Sequence, residues 1–290
     1  LSVNRVGVEV MRGAIEAITK LDNWIERNGW TGYDPYDIQG HPWALKQSRN
    51  LPFRLAKAGL FIVNVVFPQL SRKALRVKKE VNAKAMGLFA LAYLRLSQQL
   101  KSDSYSQKAD GCLQWLDDNK SQGYAGASWG YPFDWQAQDV FVPRNTPSVV
   151  VSSICGSAFW DFYKNTDEER VFQALDKGYQ FYRDNLFEDK RIPKSRPDSL
   201  YPIDIHSCAE AILCMSTLSK LFPDASEYAR NAFLWTKENM QDKDGHFYYL
   251  MTRRKTLKIP YIRWGQAWMM RALSQYYCSL EESQGEAVSS

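Results

Sequence analysis

Ser128–Pro147, SWGYPFDWQAQDVFVPRNTP, is the stretch on which the reading of this chain turns. It sets Trp129, Tyr131, Phe133, Trp135 and Phe141 among Asp134, Gln136, Gln138, Asp139 and Arg144. Neither a helical nor a strand period runs through it, and Pro132, Pro143 and Pro147 forbid a long helix. A long loop without secondary structure inside a helical chain is usually functional or disordered. Disordered segments are poor in aromatic residues and this one is rich in them, so it reads as a ligand-facing loop at the mouth of a helical barrel.

On both sides of the loop the apolar residues recur with a helical period. Upstream, the pattern predicts helices over Val8–Arg27, Leu51–Leu75, Lys79–Leu100 and Tyr105–Asn119, with Gly29 stopping the first and Pro68 breaking or kinking the second. Downstream it predicts Ser148–Tyr163, Asp167–Leu186, Ile205–Leu221, Ala225–Met240 and Ile262–Tyr277. Thr166 and Glu169 have the spacing of a capping box, and His246–Met251 reads as a short strand after the Asp244–Gly245 turn. From Lys79 onward the connections run short, long, short, long, short, long. Between antiparallel neighbouring helices, alternate connections emerge at opposite ends, so the long loops share one rim. That layout is an all-α (α/α) toroid, an incomplete or six-hairpin barrel repeating about every 60 residues. It is expected as one domain over residues 1–280 with a flexible polar tail over 281–290.

At 290 residues and 45% hydrophobic the chain can bury a large core. Its net charge is only +5, with acids and bases interspersed, whereas nucleic-acid binding needs a concentrated basic face. The densest cluster, Arg72, Lys73, Arg76, Lys78 and Lys79, reads as a solvated helix junction. The apolar run Ala56–Phe67 is too short to span a bilayer and carries Asn64, so no transmembrane segment is expected. Cys112, Cys155, Cys208, Cys214 and Cys278 lack metal-ligand spacing and read as buried free thiols. That fits a reducing, cytoplasmic compartment; no signal peptide opens the chain, which begins at Leu1 rather than Met.

Three loops carry similar chemistry. The first offers Tyr33 and Asp34, with Asp37 nearby; the central one offers Trp129, Tyr131, Asp134, Trp135 and Arg144; the last offers Tyr248 and Tyr249, followed by Arg263 and Trp264. Asp204 and His206 stand where a helix starts, and Asp204 is also positioned as its N-cap. Aromatic faces stack on sugar rings while acids, amides and arginines bond hydroxyls and carboxylates, so this rim suits an oligo- or polysaccharide. Asp134, Asp204, His206 and Tyr249 are the candidate catalytic residues. The binding candidates are Tyr33, Asp34, Trp129, Tyr131, Trp135, Arg144, Tyr248, Arg263 and Trp264. Two carboxylates across a glycosidic bond would serve hydrolysis, whereas Tyr or His with an arginine would serve uronate epimerisation or elimination. No metal site or cofactor is expected: the three histidines are not paired at helical spacing, and phosphate-binding and dinucleotide glycine motifs are absent.

WGYPFDWQ at Trp129–Gln136, NTP at Asn145–Pro147, DIHSCAEAI at Asp204–Ile212, DGHFYY at Asp244–Tyr249 and RWGQAWMMRAL at Arg263–Leu273 together carry a resemblance. Over roughly Lys79–Tyr277 the chain resembles helical-toroid proteins of bacterial exopolysaccharide and capsule gene clusters. These are similar in fold to terpenoid cyclase and prenyltransferase toroids and to (α/α) barrel carbohydrate enzymes. The resemblance implies a role in cell-surface polysaccharide metabolism, as a glycan hydrolase or a uronate epimerase or lyase. Two other classes stay open: a non-catalytic polysaccharide-binding or assembly subunit, and an isoprenoid or polyprenyl-sugar binder. The last is weakened because the acidic cyclase motif is missing, and DEE at Asp167–Glu169 falls in a tight hairpin on the opposite rim.

Overall fold

The computed structural model describes residues 2–46, 50–137 and 140–289, and their side chains apart from 2–7, 65, 137, 140 and 282–289. Gln138 and Asp139 lie outside the described residues. The chain divides into two compact units, Leu1–Asn82 and Ala83–Ser290.

In the first unit, α1 (Ser2–Asn28) ends at Gly29, whose positive φ of 71° places it where a side chain would be strained. A short α2 (Pro42–Leu45) is capped by His41, whose Nδ1 accepts the Trp43 N–H. The predicted Leu51–Leu75 helix is two: α3 (Leu51–Val66) and α4 (Pro68–Ala74). Pro68 has no N–H to give, and Phe67 leaves helical geometry at φ −128°, ψ 64°. Arg72 corrects the reading of its cluster as solvated. It is buried, pairs with Asp37 at 2.9 Å, and donates to Asn64 and to the Pro68 and Asp34 carbonyls.

The second unit holds α5 (Ala83–Leu100), α6 (Asp103–Asp118), α7 (Val149–Thr166), α8 (Glu169–Asn185), α9 (Ile205–Leu218), α10 (Ala225–Met240) and α11 (Ala267–Ser289). Helices α5, α7, α9 and α11 pack in that order as an inner row, while α6, α8 and α10 pack on their outer side. This is the expected (α/α) toroid, built here from three and a half hairpins among the described residues. Its core is apolar, with Met86, Leu113, Phe159, Phe181, Ile212 and Met215 among its fully buried side chains. Gly87 of α5 lets α7 approach closely, because a Cβ there would meet the Cys155 Cα at 3.3 Å.

The long connections hold one another. Val149 N–H at the end of the central loop donates to the Ser195 carbonyl of the second, and the Tyr124 hydroxyl reaches Asp198. Two short antiparallel hairpins, β1 (Trp135–Ala137) with β2 (Val140–Val142) and β3 (Phe187–Glu188) with β4 (Ile192–Pro193), lie in the central and second loops. The second and third loops share an antiparallel sheet of β5 (Ile203–Asp204), β6 (Leu250–Met251) and β7 (Thr256–Leu257), with Asp204 opposite Leu250. A few local expectations need correcting. The central loop is not free of strand: Trp135–Ala137 pairs with Val140–Val142 in a short hairpin favoured by its β-branched and aromatic residues. Thr166 is the last residue of α7 and bonds back to the Phe162 carbonyl, so the capping box does not form; Asp167 in left-handed geometry ends that helix and Glu168 starts the next. The strand expected over His246–Met251 is only Leu250–Met251, and a π-helical turn, Ile262–Gln266, precedes α11. Cys278 is exposed rather than buried.

Candidate active site

Asp204 sits at the junction of β5 and α9 and does what its position asks of an N-cap: its Oδ1 accepts the His206 backbone N–H at 2.8 Å. The same carboxylate accepts the Trp264 indole N–H at 3.0 and 3.2 Å from its two oxygens. Burial nonetheless raises its pKa above the ordinary carboxylate value, against the lowering by the His206 N–H, the Trp264 indole and the nearby His206 ring. Tyr249 is brought beside it by the β5–β6 register, and the Tyr249 carbonyl accepts the Ile205 N–H. Burial, followed by the charge of Asp204 and then of Tyr261, pushes the Tyr249 phenol up, so it stays protonated at neutral pH. Its ring meets Tyr261 edge-on at 5.0 Å.

His206 lies one step down α9. Its ring stacks on Trp268 at 4.5 Å and meets Trp264 edge-on at 4.9 Å. Both ring nitrogens lack a hydrogen-bond partner, although Nε2 is 3.4 Å from Oε1 of Glu210. That distance is close enough for electrostatic attraction, but the pair does not reach hydrogen-bond geometry, and Glu210 Oε1 likewise lacks a hydrogen-bond partner. Buried polar groups are nearly always satisfied, so two adjacent unsatisfied ones in an apolar helix call for a reason. Glu210 is a functional candidate that the motif reading passed over. The signal was there: His206 and Glu210 are four residues apart in a helix whose other positions are Ile205, Cys208, Ala209, Ala211 and Ile212.

Below Glu210 a cavity of about 340 Å³ opens among α7, α8, α9 and α11. Ser153, Asp161, Lys164, Tyr182, Glu210 and Arg271 give it a polar lining, mixed with Trp129 and Phe159. The Tyr182 and Ser153 hydroxyls are also buried and lack partners in hydrogen-bond geometry, and burial pushes the Tyr182 phenol well up. Along α9, one face therefore runs from His206 through Glu210 to Cys214 and Thr217 at the cavity, with Asp204 capping the start of the helix. The thiols there are inert: burial pushes both Cys208 and Cys214 up to about 12.

The remaining candidates are placed differently. Trp129 is buried, stacks on Phe159 at 5.8 Å and donates its indole N–H to the Leu116 carbonyl. Asp134 accepts the Arg144 backbone N–H at 2.7 Å, which closes the tip of its own loop. Tyr131 stacks on Phe133 in that loop, and Trp135 begins its hairpin. Tyr248 donates to Asp242 at 2.7 Å and lies under Lys258, while Arg263 is exposed in the π-helical turn beside Trp264. Tyr33 and Asp34 belong to the first unit. Arg72 and Lys79 flank the Tyr33 ring, and Asp34 accepts from the Tyr36 N–H and from Asn82. The structure thus gathers Asp204, His206, Tyr249 and Trp264, adds Glu210, and leaves Asp134 bonded within its own loop.

For a metal, Asp242, Asp244 and His246 have ligand atoms within 4.8 Å of one another, but they are surface groups of one turn, with His246 Nδ1 bonded to Asp244. Among the described residues no helix is long and apolar enough to cross a membrane.

No protein family matches the chain in sequence, and no curated protein does. Solved structures do match in fold. An inactive variant of the alpha-1,6-mannanase GH76A of Salegentibacter sp. HEL1_6, with two adjacent aspartates replaced, in complex with alpha-1,6-mannotriose, superposes with a TM-score of 0.54 at 12% identity, over 71% of this chain and 57% of that one. The unsubstituted mannanase gives 0.52 at 12% identity, over 69% and 56%. The chain thus spans under three fifths of the length of the mannanases it matches. Its own adjacent aspartates, Asp117 and Asp118, close the outer helix α6, where they bond Lys120 and Gln114. With the inner and outer rows already described, these likenesses show that the chain has the (α/α)-toroid fold.

Proposed function

We propose that this protein is a carbohydrate-active enzyme of cell-surface polysaccharide metabolism that moves protons on a uronate-containing glycan, by epimerisation or elimination, at Asp204, His206 and Tyr249. The observation that carries the reading is the convergence itself. One carboxylate with raised proton affinity lies within electrostatic reach of a protonated phenol and an imidazole, while the second carboxylate expected for hydrolysis, Asp134, is bonded within another loop. The toroid fold, shared with a mannanase, adds support at the level of fold alone.

In this scheme Asp204 accepts the carbon-bound proton next to the uronate carboxylate, and the electron pair moves onto that carboxylate. Arg263, exposed beside Trp264, supplies the positive charge that holds it. Tyr249 donates its own phenolic proton, to the opposite face of that carbon for epimerisation or to the oxygen that departs as its C–O bond breaks for elimination, and the proton held by Asp204 then passes through solvent to restore the phenol. The His206 ring beside Asp204 partly offsets the rise in proton affinity that burial gives the carboxylate. Tyr261, Trp264 and the rim aromatics offer faces for sugar rings. A cytoplasmic location is our reading from the five free cysteines, three of them buried.

Hydrolysis is the second reading, and Glu210 is the observation that favours it. Glu210 is a buried carboxylate one turn beneath His206, lining the cavity, and it would supply the second acid that Asp134 does not. One experiment separates the two. Uronate-containing and neutral glycans are incubated with the protein in heavy water and the products read by mass spectrometry. Deuterium on the sugar carbon, or an unsaturated product, is expected. Uptake of one water per cleaved bond points to hydrolysis instead, and binding with no product on long incubation overturns the enzymatic reading.

A further inference from the structure

We propose that the α3–α4 segment of the first unit is a docking surface for the face of a membrane rich in anionic lipid. The inference stands on its own observations and is independent of the catalytic proposal.

The charge of the chain is unevenly placed. Residues 1–82 hold thirteen Lys and Arg against seven Asp and Glu, so the whole positive excess lies there, while residues 83–290 are nearly balanced at twenty-four against twenty-five. Within the first unit the excess is narrower still. Between Asp37 and Glu80 there are nine Lys and Arg and no acidic residue. Arg72 is occupied inside by Asp37, but Lys46, Arg54, Lys73, Arg76, Lys78 and Lys79 are exposed.

The same segment exposes an apolar stripe. Leu51, Leu55, Ile62 and Val66 are 61%, 64%, 65% and 59% exposed, and they recur at the four- and seven-residue spacings that put side chains on one face of a helix. Ala58 fills the gap in the same line and is exposed as well. Beyond the Pro68 break, Phe67 and Leu70 add 56% and 62%. An apolar line bordered by lysines and arginines, with no acid among them, is the pattern of a helix that lies in the lipid headgroup layer. A protein partner would leave the bases without a stated complement, whereas an anionic lipid surface matches both the apolar line and the positive border. Spanning is excluded by length: sixteen residues rise about 24 Å, short of a hydrocarbon core of about 30 Å, and Pro68 ends the helix. The contrast with α1 is instructive. It exposes Val10, Met11, Leu21 and Trp24 too, but Glu9, Glu16, Asp22 and Glu26 offset its bases, so it lacks the charge match.

Vesicle co-sedimentation of the full chain tests this. With vesicles of phosphatidylglycerol and phosphatidylcholine at low salt, most of the protein is expected in the pellet. Pure phosphatidylcholine should retain at least tenfold less, and half-molar salt should release the protein. Ile62→Glu and the triple change Lys73→Glu, Arg76→Glu, Lys78→Glu each alter exposed residues, and circular dichroism confirms that the fold survives. Each is expected to weaken binding at least tenfold. No binding to anionic vesicles, equal binding to neutral ones, or unchanged binding by both variants overturns the proposal. So does a full chain that is dimeric in solution until Ile62→Glu makes it monomeric, because the stripe then faces a second copy.

Discussion

The central loop and the start of α9 look alike as sequence, each mixing rings with acids, yet they serve opposite ends. In the loop the site candidates are satisfied: Asp134 holds the Arg144 N–H, the Asn145 N–H donates to the Tyr131 carbonyl, and the Trp129 indole bonds the Leu116 carbonyl of α6. At α9, Asp204 is held by Trp264 from another loop, and His206 and Glu210 keep unsatisfied atoms in a buried place. What separates a packing motif from a working one here is therefore the hydrogen-bonding capacity left over, since an unsatisfied buried group costs stability that needs a return.

The largest expected break in this contrast is catalytic. Asp204→Asn and Tyr249→Phe should each lower turnover about 10²- to 10⁴-fold, the usual scale for removing a proton-transfer group. Asp134→Asn should leave it within about threefold, a change well under 1 kcal/mol in the barrier. Steady-state rates on the glycan identified by mass spectrometry decide this, and equal losses at Asp134 and Asp204 erase the distinction. Next in size is stability in the loop. Trp129→Ala opens a hole beside Phe159 and should cost about 3–5 kcal/mol in urea unfolding, as large buried rings do. A cost below about 1 kcal/mol means that Trp129 is not core. Gly130→Ala should cost about 1–3 kcal/mol by overpacking, because a Cβ there would stand 2.1 Å from the Thr146 carbonyl oxygen.

Smaller effects sharpen the α9 side. Trp264→Phe removes an indole donor that stabilises the Asp204 carboxylate, so the Asp204 pKa should rise further. The acid limb of the pH–rate profile then moves to higher pH; no movement, or movement to lower pH, contradicts the assignment of Asp204 as base. Linkage gives the last test. Burial raises the Asp204 pKa, so the folded chain holds that proton more tightly than the unfolded one. The contribution of this group is full below the ordinary carboxylate value, about 3.9, and is lost as pH climbs through the raised folded value. Asp204→Asn keeps an N-cap and should flatten that part of the stability profile, measured by urea unfolding across acidic pH. An unchanged profile removes Asp204 as its source.

Much of the fold was readable from local pattern. The helical period, Gly29, the proline break at Pro68 and the alternating loop lengths led to the toroid, and Ala225–Met240 matches the described helix at both ends. Local signals also misled where distant groups compete. Thr166 bonds back into α7 rather than capping α8, and Arg72 looked solvated in a basic run until Asp37, thirty-five positions away, gave it a buried partner. The candidate site was legible in part. Asp204, His206, Tyr249 and Trp264 were all singled out, but Glu210 was passed over because a lone acid in an apolar helix has no motif.

The amino-acid order alone determined what depends on near neighbours: where helices run, where they stop, and that rings and acids gather in the connections. Tertiary structure decided which of those side chains keep an unanswered proton donor or acceptor. That outcome depends on partners supplied by segments sixty residues apart, as Trp264 is for Asp204, and on the local dielectric that burial creates.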